Sequence, residues 1–464
     1  MTSTTSLAKI GRVAPADFPG KVFLPFHQRH SEPERPSHGV EYHSPEDHLP
    51  TVIARCQTRQ DVQLAIRTAR AHGLAISVCG GESDSIGRVL KRGGMVIDLS
   101  DMRHVAVDPA TRVAIVAGGA TVNDVVAAAA AHGLTPVTGN RGTVGLAGVM
   151  LAGGYGPLLG RHGLAADNLL EAEIVLKNGQ YVVANAGRNA DLFWALRGGA
   201  RDFGVTTSLR VRLHALPSLL SGMIFYAWSD AHLVLRGYSE IAASASDDLT
   251  ISAGIVSRAD GNPLLFAAPT WCGEPEEGAR VLAALQAFGT PVAANIGPMS
   301  YADVLAMHDD HLTSGSISSK RSRRLAKLDS RVISAMIVAA NARTSPLSTI
   351  VLHHFHGAPT RVRSEATAFG PRQKHFLLEA IAAWRPSAND SAAGHRLWAQ
   401  NASDCAVPAA AAGNRDQTAK ADTDIGARLS EVKQTYDPEY ALLAGPPRRG
   451  SDATPPHASP GSHW

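Results

Sequence analysis

Cysteine is scarce: Cys56, Cys79, Cys272 and Cys405 are the 4 in 464 residues, widely scattered, with no CxxC and no Cys/His ligand spacing. That pattern excludes a disulfide framework and a zinc site, and it fits a reducing cytoplasm. Long apolar runs are missing too. No stretch of about 18 apolar residues occurs, and "MTSTTSLAKIGRVAPADFPG" at the N-terminus lacks a continuous apolar core and a twin-arginine pair, so neither a membrane span nor export is expected. Charge of one sign is also lacking. Lys and Arg number 44 against 41 Asp and Glu, a net +3 that gives no warrant for nucleic acid or an acidic membrane as partner. The one local basic run, "SKRSRRLAKLDSR" at 319–331, has poor apolar spacing and reads as a solvated helix face.

What is present is an ordinary globular composition, 44% hydrophobic and 18% charged, long enough for two or three domains. Between 50 and 215, β-branched runs ("TVIARC", "AISV", "GMVIDLS", "VAIVAGGA") alternate with Ala-rich helical ones, which argues an α/β domain. "TVNDVVAAAAAHG" reads as a helix with Thr121 or Asn123 at its start and Gly133 as its stop. After "VRLHALPS" glycine thins out and a second, less regular domain runs to 425. "AVPAAAAGNRDQTAKADTD" is poor in large apolar residues and reads as a loop or weak helix; "IGARLSEVKQTYDPEYALLAG" restores a helical pattern that ends at Pro438. The Pro/Ser/Gly-rich stretch after Gly445 is too polar to pack.

Two glycine clusters carry the chemistry. "VCGGESDSIGR" at 78–88 follows the apolar "LAISV" as a tight loop follows a strand, and Gly80 and Gly81 let backbone amides approach a ligand. Glu82 and Asp84 would repel a phosphate unless their carboxylates point away. In the second cluster, Gly139, Gly142, Gly145, Gly148, Gly153, Gly154, Gly156 and Gly160 are too dense for a helix, where each costs about 1 kcal/mol against alanine. Backbone wrapped around a ligand is the favoured reading over a purely structural turn. The pattern is not the G-x-G-x-x-G of a Rossmann unit, because the glycines span more than one strand-to-helix turn and no acidic strand end follows at the required distance.

Residues 50–215, with "GGESDSIGR", "GGMVIDLSDMR", "VDPATRVAIVAGGAT", "GLAGVMLAGGYGPLLGRHGLAADNLLEAEIVLKNGQ" and "DLFWALRGGARDFGVTTSLRVRLH", resemble the FAD-binding domain of the vanillyl-alcohol oxidase and p-cresol methylhydroxylase (PCMH) superfamily. "IVLHHFHGA", "TAFGPRQKHFLLEAIAAW" and "RLSEVKQTYDPEY" are similar to its berberine bridge enzyme-like branch of bacterial type. The resemblance implies an α/β (α+β) fold: two α/β subdomains enclosing FAD, and a substrate cap with a large antiparallel sheet over the flavin. The divisions it implies are an extension at 1–45, the FAD-binding domain at 46–216, the cap at 217–425, a helix at 426–445 returning to the first domain, and a disordered tail at 446–464. It also implies cofactor contacts from Cys79, Gly80, Gly81, Glu82, Ser83, Asp84 and Gly87, and from Arg141, Gly142, Thr143, Gly145, Gly148, Gly153, Gly154 and Tyr155, with Asn168 and Val205 nearby. Backbone donors reconcile Glu82 with that role.

The chain departs from the family around the flavin. Where relatives tether the flavin through a histidine stands Ser83, with Cys79 at the family's arginine position; where some add a cysteine tether stands Arg141. FAD is therefore expected to be noncovalent and a weaker oxidant. Arg141 either places a positive charge by the flavin or makes a surface salt bridge. The family's Tyr-Asn pair is reduced to Asn414, Asp202 stands for a common Asn, and Ser85 for a common aromatic.

For acid/base work, "HHFHG" puts His354 and His356 on one face of a strand and His353 on the other, and the first two are the expected catalytic pair; core histidines are the competing reading. Tyr155 is either ligand-facing or packed. Asp191, Phe193, Trp194 and Arg197 read as structural. The expected protein is a cytoplasmic FAD-dependent oxidoreductase acting on a small or medium alcohol, sugar, amine or secondary metabolite, with oxygen as acceptor. A non-redox reaction such as cyclisation on the same scaffold is the alternative.

Overall fold

The α/β expectation is met first. In the computed structural model, which describes residues 21–23, 50, 52–81, 94–199, 203–215, 219–258, 260–309, 316–370, 372–385, 392–404 and 415–438, strands β1 (Lys21–Phe23), β2 (Val52–Arg55), β3 (Ile76–Cys79) and β4 (Met95–Asp98) form a sheet ordered β1-β2-β4-β3. β2 and β3 run parallel to β4, and all four residues of β4 are buried, as a central parallel strand requires. The helix Arg59–Ala71 crosses between β2 and β3. Thr58 and Asp61 close its first turn as a capping box, and Val62, Ala65, Ile66 and Ala69 bury one face.

A second sheet is antiparallel and six-stranded: β5 (Val105–Asp108), β6 (Val113–Ala117), β7 (Leu134–Pro136), β8 (Leu169–Leu176), β9 (Tyr181–Asn185) and β10 (Gly204–Ala215), ordered β5-β6-β10-β8-β9 with β7 on β10. The helix Val122–Ala130 is capped by Thr121, which bonds the Asp124 amide while the Asp124 carboxylate returns to the Thr121 amide. Gly133 follows at φ +66°, where only a residue without Cβ stops a helix at little cost.

The third sheet has seven strands, β11 (Leu219–Tyr226), β12 (Leu249–Ser257), β13 (Pro263–Trp271), β14 (Pro291–Met299), β15 (Ile317–Leu325), β16 (Thr349–Phe355) and β17 (His375–Trp384), all antiparallel in the order β14-β11-β13-β12-β16-β17-β15. This is the large antiparallel sheet expected of the cap. One face buries Ile255, Ile350, Leu352, Leu378, Ala380 and Trp384 against the helices Ala231–Ala243, Ser330–Asn341 and Ala392–Asp404. The opposite face holds the alternate residues, among them Ser252, His353, Phe355, His375 and Glu379.

Two local expectations are corrected. The basic run at 319–331 is no helix: its first half lies in β15, where alternation sends Lys320 and Ser322 to Glu379 on the site face and Arg321 and Arg323 to Gln400 and Asp404 on the helix face. A helix Arg415–Tyr436 also begins well before 425; it ends ahead of Pro438, which cannot extend it. Its Arg428 lies over the Trp194 ring and Tyr436 donates to Asp191, so this helix is bound to the helix Ala190–Leu196. Asp191, Trp194 and Arg197 thus serve the packing read for them, with Trp194 donating to the Glu365 carbonyl and Arg197 to that of Ala366. The tail expected at 446–464 lies outside the described residues.

Candidate functional site

The glycine clusters meet each other. A Cβ on Gly81 would come within 2.3 Å of the Gly145 nitrogen, and one on Gly145 within 1.9 Å of the Gly80 carbonyl oxygen. Backbone therefore packs on backbone where the loop after β3 reaches the N-terminus of the helix Leu146–Ala152. Gly142, Gly153, Gly154 and Gly156 are likewise crowded by protein atoms, so much of the glycine density has a packing cause. Gly148 is the exception, with open space where its side chain would be. Among the described residues, the amides of Gly80, Gly81 and Thr143 donate to no partner, which leaves donors for phosphate oxygens at the junction. On that ground these loops fit an FAD pyrophosphate. Cys79 sits beside them, its thiol 3.5 Å from the Gly81 carbonyl, while Glu82, Ser83, Asp84, Ser85, Gly87, Asp202 and Asn414 lie outside the described residues.

A polar network runs along one face of the seven-stranded sheet. His353 Nδ1 is 3.2 Å from Ser252 Oγ and 3.4 Å from Asn140 Nδ2, and its Nε2 is 3.4 Å from Glu379 Oε2. Glu379 also accepts from Lys320 at 2.8 Å. Burial alone would raise the Glu379 pKa, but Lys320 and His353 more than offset it and hold the carboxyl far below the usual range. Asn140 is an amide donor toward Nδ1, so Nδ1 accepts and Nε2 carries the hydrogen toward Glu379.

Tyr155 stands beside this chain. Its ring packs among His353, Phe355, Phe369 and His375, and its hydroxyl is 3.0 Å from His375 Nε2. Burial pushes the phenol above its ordinary pKa. Asn140, Tyr155, Gly156, Thr250, Ser252 and His353 line one cavity between loop and sheet. Arg141 is no surface ion: burial is the main force lowering its pKa, opposed by the charges of Asp309 and Glu379. Asp309 also accepts the Gly142 amide at 3.0 Å.

Other expected residues fall elsewhere. His354 borders the cavity, but its ring is sandwiched between His356 and Phe376, and burial pushes it down to about 3. His356 lies at 1% exposure between the carbonyls of His354 and Ser246. They form a core pair, and the site histidine is their neighbour His353, because the pleat turns alternate residues to opposite sides. Asn168 is spent on the protein: Nδ2 donates to the His162 and Leu164 carbonyls and Oδ1 faces His214. Val205 packs with Val175 in the core between sheets. Neither side chain suits the cofactor role expected of it. His375 and Glu379 were missed, although the i, i+4 spacing in "HFLLE" puts both on one strand face.

Among the described residues no group of His, Cys, Asp and Glu could hold a metal, and no helix is long and apolar enough to cross a membrane. Residues 50–185 match the FAD binding domain family. The chain is 34% identical to (R)-6-hydroxynicotine oxidase of Paenarthrobacter nicotinovorans over 262 residues, 56% of this chain and 57% of that one, so it spans little more than half of that relative. In three dimensions it is similar to 6-hydroxy-D-nicotine oxidase from Arthrobacter nicotinovorans, with a TM-score of 0.79 at 26% identity, covering 92% of this chain and 97% of the other. It also shares the fold of a berberine bridge enzyme-like protein of Physcomitrella patens, TM-score 0.80 at 20% identity, over 95% and 97% of the two chains. The sheets, the glycine junction and these likenesses are those of a PCMH-type FAD-binding fold. Residues 50–185 match that FAD-binding domain, and the chain as a whole is similar to FAD-linked oxidases of the superfamily.

Proposed function

We propose that the protein oxidises a small organic molecule at a carbon bearing oxygen or nitrogen, with FAD held noncovalently and oxygen as electron acceptor. The convergence of Tyr155, His353 and Asn140 on one cavity carries this reading. FAD, when bound, supplies the two-electron acceptor. The protein's part is to place the donor molecule and move its proton. Tyr155 accepts a hydrogen bond from the substrate hydroxyl or amine through its oxygen lone pairs, while its own hydrogen points to His375. His353, its tautomer set by Glu379, orients the donor through Nδ1 beside Asn140 and Ser252.

Noncovalent binding is supported by the sequence. From Gly73 to Arg103 there is no histidine, so the absence of that tether does not depend on whether Glu82 or Ser83 takes its position. Arg141 occupies the place of the cysteine tether. A reducing compartment is the proposed setting, since Cys56 and Cys272 are buried free thiols.

The visible spectrum of the purified protein followed by acid precipitation tests the cofactor reading. A yellow supernatant is expected; a yellow pellet overturns noncovalent binding, and a colourless protein that FAD cannot reconstitute overturns the function. Anaerobic mixing with 6-hydroxynicotine and with xylooligosaccharides, compounds named for relatives, tests donors by bleaching of the flavin band.

A further inference from the structure

We propose that His375 receives the Tyr155 proton during turnover, so that the tyrosine works as one half of a two-residue relay. The inference rests on the reading of Tyr155 given above and adds the group behind it.

The geometry fixes the direction. His375 Nδ1 lies 2.8 Å from the Gln373 carbonyl oxygen, which only accepts, so Nδ1 carries the ring hydrogen. In the neutral imidazole Nε2 is then bare, and it faces the Tyr155 hydroxyl at 3.0 Å. Tyr155 is therefore the donor of that bond, and its remaining lone pairs are left for a donor in the cavity. The imidazole cannot turn away, because it stacks on Phe355 at 4.4 Å between centroids and 22° between planes. Reversing the pair would leave Nδ1 bare against a carbonyl.

The ring is also poised to be empty of its second proton. Burial, helped by Arg324, pushes His375 down to about 4, despite the Gln373 carbonyl acting the other way. The charged and titratable groups around the pair are Arg324 from β15, Arg372 ahead of β17, Glu379 on β17, His353 on β16, and Lys374 and His354 beyond the ring. During oxidation the substrate O–H or N–H bond breaks and an Oη–H bond forms on Tyr155. The original Oη–H breaks as Nε2–H forms on His375, and FAD, when bound, would supply the acceptor for the hydride and its electron pair. The imidazolium keeps its Nδ1–H on Gln373 and the phenol ends neutral, so the charge rests for that step on the imidazole, which burial opposes, instead of on a phenolate, which burial opposes as well.

His375 acts through Tyr155 and is a positioning residue, so activity alone does not test it. Long-range ¹⁵N–¹H correlation on the full-length protein labelled at histidine reads the ring directly, with His375→Gln assigning the signal. The expected result is a fixed Nδ1–H tautomer whose bare Nε2 shifts when Tyr155→Phe removes its donor; an Nε2–H tautomer, or no response to Tyr155→Phe, overturns the proposal. Kinetics with the donor that bleaches the flavin supply the second readout. His375→Gln keeps an acceptor oxygen for Tyr155 but takes up no proton, so kcat should fall about a hundredfold with KM within roughly threefold of wild type. An unchanged kcat overturns the relay. His375→Phe, by contrast, reports on packing, and equal loss in both variants with a lowered Tm would assign the ring a structural role only. A protein that binds no flavin while showing the expected tautomer refutes the oxidoreductase reading and leaves the hydrogen-bond assignment standing.

Discussion

His353 Nε2 lies 3.4 Å from Glu379 Oε2 across the β16–β17 pair, at 13% and 16% side-chain exposure. The two are diagonal neighbours on one sheet face, His353 pairing with Leu377 and Glu379 with Val351. Lys320 and Ser322 reach the same carboxylate from β15. A charge so placed sets the histidine tautomer from the side away from the cavity.

Glu379→Gln keeps the shape and removes the charge. It should lower kcat about ten- to a hundredfold with a smaller effect on KM, read by stopped-flow bleaching of the flavin. Unfolded glutamate titrates near 4.5 and the folded group lower, so the carboxylate's stabilisation is whole above that pH and is lost as pH falls below it. The variant should show a flatter stability curve in that acid range. Equal acid sensitivity in both proteins would show that Glu379 does not carry it.

Gly145→Ala places a methyl group 1.9 Å from the Gly80 carbonyl and must push the two glycine loops apart. Overpacking of this kind costs about 1–3 kcal/mol, survivable for a chain of this size. Bound flavin, measured as the ratio of visible to ultraviolet absorbance, should fall well before the circular dichroism signal does. Full flavin content in a folded variant would remove the junction from the cofactor site.

Much of this was legible locally. Thr121 as a cap and Gly133 as a stop follow from residue type and position, and they form as read. Alternation along "HHFHG" separated His353 from His354 and His356, but which face looked at the cleft depended on strand order, which no local pattern holds. The Tyr155–His375 bond joins residues 220 apart in sequence and was invisible for the same reason. The basic run misled because its charges obscure a period of two: paired partners lie on both faces of β15, one set on β17 and the other on a helix. Glycine density pointed to close backbone approach, correctly, while the partner at Gly81, Gly142 and Gly156 is protein.

Acid should destabilise the protein starting near pH 6.5. His162, His214 and His375 are pushed down to about 4 and His354 to about 3, burial being the first cause for each. The unfolded chain binds protons that the folded one refuses, so stability is whole above the unfolded pKa of 6.5 and falls as pH drops, by about 1.4 kcal/mol per pH unit for each histidine. Urea midpoints from about pH 7 to about pH 5 measure the slope. His354→Phe, which keeps a ring between His356 and Phe376, should reduce it by one proton and leave flavin reduction unchanged. An unaltered slope would place those protons elsewhere.

Arg372 ties the turn Ala165–Asn168, whose Ala165 amide donates to the Gly154 carbonyl beside Tyr155, to the segment ahead of β17. At 5% exposure its guanidinium makes two bonds to Asp167, 2.9 and 2.8 Å long, and a third to Thr367 Oγ1 at 2.6 Å, while Asp167 also caps the Leu164 amide. Arg372→Met removes the two-point ion pair from Asp167 at 10% side-chain exposure and leaves it only the charge of Arg197, which costs up to about 3–5 kcal/mol. Arg372→Lys should recover little, since one ammonium cannot match a two-point bond to a carboxylate. The double change Arg372→Met with Asp167→Asn should recover more than the lysine does, because it removes the stranded charge. Urea unfolding of the four proteins checks the order. A lysine variant as stable as wild type would mean that charge alone joins the two elements and that the fork geometry is incidental.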